Sequence, residues 1–262
     1  MRKARVSSAV FLVVALSLAG GSLSLRAQGS GAGAAAPNAA DPDIATAISL
    51  ADLVTAARTV VSLHQDLIND PGRGDKGLTP EVMLAETKET ARRTTGLDMS
   101  KIDPQSRQGR LLAAMASSIA EVMKANQPRI NQKGVGFKGF VPAVFGRLVT
   151  EQFGLEVDGA AEIKITAPPD LVRNRKASPD PFEAEVIRDK FLSPGWKKGE
   201  LYAAAVPVKG RPATRVLVPE YYGAGCLSCH GEPKGEIDIT GYPKEGAKLD
   251  QLGGVISITL YK

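Results

Sequence analysis

Residues 219–246 read PEYYGAGCLSCHGEPKGEIDITGYPKEG, and both cysteines of the chain lie within them. The pentapeptide Cys226-Leu227-Ser228-Cys229-His230 has the spacing CxxCH, the attachment signature of c-type haem. Two thiols three residues apart can each form a thioether to one of the two vinyl groups of the same porphyrin. His230, the next residue, then lies under the iron as the proximal axial ligand. Gly225 and Gly231 flank the motif and would let the backbone approach the haem edge closely. Three other chemistries share the pattern. A thioredoxin-like CxxC should open a helix in a βαβ setting, whereas this one follows a hairpin and precedes a Gly/Pro-rich loop. A zinc site needs a fourth ligand beyond Cys226, Cys229 and His230. A local disulfide between the two cysteines needs only an oxidising compartment.

Outward from the motif, the flanking residues read as strands. Glu200–Val208 and Thr214–Val218 surround the turn Lys209-Gly210-Arg211-Pro212 and predict a hairpin, and Gly253–Tyr261 predicts a closing strand. Ala161–Thr166 alternates apolar and polar, again a strand, and Asp180–Lys190 predicts a short helix. The first half is helical. Asp43 is the expected cap of a helix to Leu67 whose stripe carries Leu53, Ala57, Val60, His64 and Leu67. Thr79-Pro80 opens a second helix that fades near Gly96. A third runs from Pro104 to Ala125 with Leu111, Leu112, Met115, Ile119 and Val122 inward, and a fourth covers Phe140–Phe153. Helices first and antiparallel strands later imply an α+β fold, a small antiparallel sheet under an N-terminal helical region. Trp196, Phe140, Phe145 and Phe153 are expected in the core.

The start of the chain reads as an address. Arg2, Lys3 and Arg5 form a basic n-region, Ala9–Leu18 an apolar centre, and Ala27 a small residue at the cleavage position, so residues 1–27 are read as a Sec-type signal peptide. The protein is then exported to the periplasm, and membrane attachment follows only if this segment is uncleaved. Residues 28–42, rich in Gly and Ala, read as a flexible linker, leaving 43–262 as a single domain. The precursor carries 33 basic and 28 acidic residues, a net +5. Residues 1–27 hold Arg2, Lys3, Arg5 and Arg26 and no acid, so the remainder has 29 basic and 28 acidic residues, a net +1, and no case for a nucleic-acid partner survives.

Four stretches together resemble the periplasmic c-haem domain family with a PAS-like fold, formerly designated a domain of unknown function and found in bacterial sensors and in stand-alone proteins. They are GFKGFVPAVFGRLVTEQF (136–153), APPDLVRNRKASPDPFE (167–183), residues 219–246 quoted above, and LGGVISITL (252–260). The resemblance implies a PAS-like sheet, one covalent haem and a role in sensing redox state or a small ligand. It also implies a second axial ligand from outside the motif, in some members an N-terminal cysteine. This chain has no third cysteine.

Its one other histidine, His64, is the natural substitute as distal ligand, although a histidine on an apolar stripe also reads as a hydrogen-bonded core residue. Met115, Met123, Met83, Met99 and an open position that binds water or a diatomic gas are the rivals. Arg173 and Arg175, with Lys176 in VRNRK, match the family stretch and are candidate partners of the haem propionates; a solvated basic loop is the plainer reading. Tyr222 is a candidate to pack on the macrocycle. The expected function is a haem-based redox or small-ligand sensing module acting on an unidentified signalling or redox partner protein. A monohaem electron-transfer cytochrome is the alternative, and a peroxidase-like enzyme with His64 as distal base comes third.

Overall fold

Asp41 opens the first helix: its carboxylate accepts the Asp43 N–H at 2.9 Å, and Pro42 follows at the first helical position. The computed structural model describes residues 41–262. The signal peptide (1–27) and all of the linker except Asp41 and Pro42 lie outside those residues. The cap is therefore two residues earlier than the sequence suggests. Asp43 instead turns inward, where it meets Arg107 at 2.7 Å, the Thr214 hydroxyl at 3.0 Å and Lys262 at 3.5 Å. It ties the start of the first helix to a second helix and to the sheet.

That first helix, α1 (Pro42–Leu63), is followed by the short α2 (Gln65–Asn69), so the single helix expected over 43–67 breaks at His64. Next come α3 (Pro80–Thr95), α4 (Arg107–Ile130) and α5 (Pro142–Glu156). Thr79 caps α3 through Val82 N–H, and Gly96 ends it in the left-handed conformation at φ 79°. Ser106 caps α4, which runs five residues past its expected end, through Pro128. A proline in the last turn removes only one ladder bond, too little to stop a helix already buried along one side. By length and composition α1 is long and apolar enough to cross a membrane, but 67% of its most apolar stretch is buried in the protein.

Strands β1 (Ala161–Thr166), β2 (Tyr202–Val208), β3 (Arg211–Tyr221) and β4 (Leu252–Tyr261) form an antiparallel sheet in the order β1-β4-β3-β2. The hairpin turn is tighter than expected. Only Lys209 and Gly210 connect β2 to β3, both with positive φ (52° and 77°), as a two-residue turn between twisted strands requires. Helix α6 (Pro181–Val186), capped by an Asp180–Glu183 box and continued by a wider turn to Phe191, lies between β1 and β2 in sequence. Helix α7 (Leu227–His230) lies between β3 and β4. Among the described residues the fold is thus helices with a four-stranded antiparallel sheet.

The two faces of the sheet are different. On one, Ile256, Ile258 and Leu260 of β4 and Val216 of β3 join a core with Leu50, Leu53, Ala57 and Val60 of α1, the inward stripe of α4, and Phe140, Phe145 and Phe153. On the other, Leu217 and Val255 pack under α6 with Val186, Ile187 and Phe191, and Trp196 closes this smaller cluster. Beside it, Arg215 is held by Asp180 at 2.8 Å and Glu183 at 2.9 Å, so a buried cation has two carboxylate partners.

Candidate functional site

The site is built where β3 runs out. Arg58, on the last third of α1, donates to both carboxylate oxygens of Glu220 at 2.6 and 2.7 Å, fixing the end of β3 against the helix. Burial alone would depress the Arg58 pKa, but the Glu220 charge outweighs it and holds the pKa above its ordinary value. Arg58 also lies within electrostatic range of the Cys226 sulfur. One turn further along α1, a Cβ added at Gly225 would lie 3.6 Å from the Ser62 hydroxyl. The C-terminal end of α1 and the CxxCH segment are therefore neighbours.

Cys226 is exposed, Cys229 is half-buried, and neither is in a disulfide. The motif folds into a 3-10 turn (Ala224–Cys226) and then α7, which places both thiols and His230 on one short helical stretch. Gly231 is required there, since a Cβ would come within 2.6 Å of the Leu227 carbonyl oxygen, whereas Gly225 has room for one. The loop beyond returns to the motif: Ala247 N–H donates to His230 O at 2.7 Å, and Asp250 N–H to Tyr222 O at 2.9 Å.

His230 is oriented by its Nδ1. Glu245 Oε2 lies 2.9 Å from it, and because a carboxylate only accepts, Nδ1 carries a proton, which in the neutral imidazole leaves the lone pair on Nε2. Tyr222 lies beside the imidazole, ring centroids 5.0 Å apart and planes inclined 30°. Burial, with the Glu245 carboxylate nearby, pushes the Tyr222 hydroxyl pKa up to about 12. Glu245 is itself gripped by Arg173, with Nε to Oε1 at 2.6 Å and Nη2 to Oε2 at 2.9 Å. The same guanidinium donates to Asp238 at 2.6 Å and to the Cys229 carbonyl at 2.9 Å, with the Tyr242 ring 5.5 Å away. Burial would raise the pKa values of Asp238 and Glu245, but hydrogen bonds outweigh it and hold both below the usual range. For Asp238 these come from Thr240, Arg173 and the Tyr242 N–H; for Glu245, from Arg173, a backbone N–H and His230.

The sequence candidates separate accordingly. Cys226, Cys229, His230 and Tyr222 stand together. Arg173 joins them, but its guanidinium is occupied by Glu245, Asp238 and the Cys229 carbonyl rather than presented outward as a propionate partner. Arg175 is exposed in a separate 3-10 turn (Arg175–Ala177). His64 lies two residues beyond Ser62, half-buried at the break after α1 rather than on the core stripe. Its Nε2–H donates to Glu86 of α3 at 2.7 Å, leaving the Nδ1 lone pair. Of the rival ligands, Met83, Met115 and Met123 are sealed in the core and Met99 packs against it. No group of three His, Cys, Asp or Glu side chains among the described residues is set to hold a bare metal ion.

Glu245, Asp238, Glu220, Arg58 and Glu86 are additions that no spacing rule identifies. The first three lie within residues 219–246, so the quoted stretch contained them without marking their roles.

These residues fit a haem. Two unpaired thiols at the required spacing stand beside an imidazole whose Nδ1 is engaged by a carboxylate. Ile237, Ile239 and Tyr242 of the following loop are exposed large apolar side chains, Tyr242 lying against Arg173, and Leu63, adjacent to Ser62, is exposed as well. The model of the Tll0287-like family matches residues 44–260, while no curated protein and no solved structure matches the chain. With nearly the whole described chain inside that match, the protein belongs to the Tll0287-like family, a haem-binding family.

Proposed function

We propose that the chain is an exported c-type haem protein with a PAS-like fold, holding one haem through Cys226 and Cys229 and using it as a redox or small-ligand sensing module. The observation that carries this reading is the pair of unpaired cysteines beside His230, whose Nδ1 is engaged by Glu245 so that Nε2 is available to iron. Each thiol adds across one vinyl group, sulfur to one carbon and hydrogen to the other, so attachment consumes no oxidant. The bound group supplies one-electron chemistry and a position for a second ligand. The polypeptide supplies the orientation of His230, the exposed Leu63 at the end of α1, and His64 as the candidate for the opposite axial position. His64 would ligate through Nδ1, or through Nε2 after release from Glu86. The basic and apolar halves of residues 1–27 support delivery to the periplasm, where a separate redox or signalling protein is the partner. The linker, ending before the cap Asp41, and the single domain that follows it belong to the same reading.

Electron transfer is the second reading, favoured by the exposure of Cys226 and of Leu63 at the neighbouring end of α1, which would leave a haem edge open to a partner. Ferric and ferrous spectra recorded with and without carbon monoxide separate the readings. A six-coordinate low-spin protein that excludes carbon monoxide, and that binds it after His64→Ala, supports His64 ligation and a closed redox centre. Binding by the wild type supports an open ligand-sensing site, and unchanged exclusion after His64→Ala removes His64 as the ligand.

A further inference from the structure

We infer that Glu245 is a positioning residue that holds the haem's reduction potential down through His230, with Arg173 and Asp238 fixing it in place. This inference rests on the haem reading above. A backbone carbonyl would suffice to orient an imidazole. This site uses a carboxylate instead, 2.9 Å from Nδ1, and such an acceptor gives the imidazole partial anionic character and makes it a stronger ligand for ferric iron.

The carboxylate has little freedom to leave. Both of its oxygens are held by the Arg173 fork, and Arg173 is pinned by Asp238 and by the carbonyl of Cys229, a haem-attachment residue. Asp238 is in turn locked by its own loop, accepting from Thr240 N–H at 2.7 Å, the Thr240 hydroxyl at 2.6 Å and Tyr242 N–H at 3.2 Å. Arg173, Glu245 and Asp238 together carry one net negative charge. Their side chains are 19%, 17% and 0% exposed, so solvent screens that charge poorly. A buried negative charge beside the proximal ligand favours the more positive iron, and hydrogen bonding and buried charge near the ligands are established levers on haem potential. Of the three, Glu245 alone touches the histidine nitrogen, and Arg173 and Asp238 act on it by fixing Glu245. Tyr222 does not share the role, because its hydroxyl is 3.5 Å from Nδ1, at the limit for a hydrogen bond.

The test is the midpoint potential of the holoprotein by spectroelectrochemistry, for wild type, Glu245→Gln, Asp238→Asn and Tyr222→Phe. Glu245→Gln is expected to keep its covalent haem and shift the reduction equilibrium at least tenfold toward ferrous, about 59 mV for one electron. Asp238→Asn should shift it less in the same direction, and Tyr222→Phe should leave it unmoved. A Glu245→Gln protein that retains haem with the wild-type potential overturns the inference, as does an Asp238→Asn shift equal to or larger than that of Glu245→Gln. If Glu245→Gln does not fold, the wild type carries the test by magnetic resonance: a His230 Nδ1–H proton protected from solvent exchange is expected, and free exchange overturns the inference. A wild-type protein without covalent haem fails the haem reading instead, so the two failures are distinct.

Discussion

Arg173→Ala removes the residue on which the haem-motif loop is assembled, and its cost follows from what it leaves behind. The guanidinium makes two bonds to Glu245, one to Asp238 and one to the Cys229 carbonyl. Removing it strands Asp238, whose side chain is fully buried, and Glu245, whose side chain is 17% exposed. Breaking one side of a buried ion pair costs about 3–5 kcal/mol. Because Arg173 and Glu245 retain some solvent, the low end applies, about 3 kcal/mol. For a chain of this size that lowers Tm by about 6–12 °C. Differential scanning calorimetry of the holoprotein at neutral pH measures it. Acid should erase the difference. The Asp238 pKa is depressed in the fold, so its stabilising contribution is complete above the unfolded carboxylate value of about 4 and is lost as the pH falls toward the folded value. Wild type and variant should therefore converge in acid. An Arg173→Ala protein melting within 2 °C of wild type at pH 7, with Tm resolution of about 1 °C, would refute the reasoning.

Other parts of the structure carry their own tests. A Cβ at Gly253 would lie 2.7 Å from the Tyr222 ring, so Gly253→Ala should cost about 1–3 kcal/mol and displace Tyr222 from His230, measurable by urea unfolding and by the Tyr222 ring resonances. Met115 is wholly buried in the main core, and Met115→Ala should lose about 2–5 kcal/mol in the same unfolding assay without altering the haem spectrum. Asp43→Ala cuts the links to Arg107, Thr214 and Lys262; with Arg107 and Lys262 partly exposed, about 2 kcal/mol is expected, and hydrogen exchange should rise first at the start of α1.

Periodicity made much of the fold legible. The inward residues of α4 and the existence of the strand Ala161–Thr166 follow directly from spacing, because α4 keeps one face inward along most of its length and the strand alternates buried and exposed residues over Ala161–Ile163. Spacing was less informative where the environment changes along an element. The stripe Leu53-Ala57-Val60 is buried as expected, but the helix leaves the core before His64, and no residue there signals the break. Asp41 and Asp43 are equally good caps by residue type. Pro42 at the first helical position favours Asp41, and Arg107 and Thr214, distant in sequence, draw Asp43 inward. The same reason explains the site. Cys226, Cys229 and His230 are a local motif and legible as one, whereas Glu245 is held on His230, and Asp238 joined to it, by Arg173, more than sixty residues away in the chain. VRNRK read as a basic loop for propionates because composition shows the charge of Arg173 and not the two carboxylates that occupy it.

The central claim is that one haem is joined to this polypeptide through Cys226 and Cys229. Intact mass spectrometry of the denatured, exported protein, produced in a host competent for c-type haem attachment, tests it most directly. The account predicts a mass gain of one haem that survives denaturation, stains for peroxidase activity on a denaturing gel, and vanishes when Cys226 and Cys229 are both replaced by Ser. An unmodified mass under those conditions, or a haem that washes out on denaturation, would contradict it.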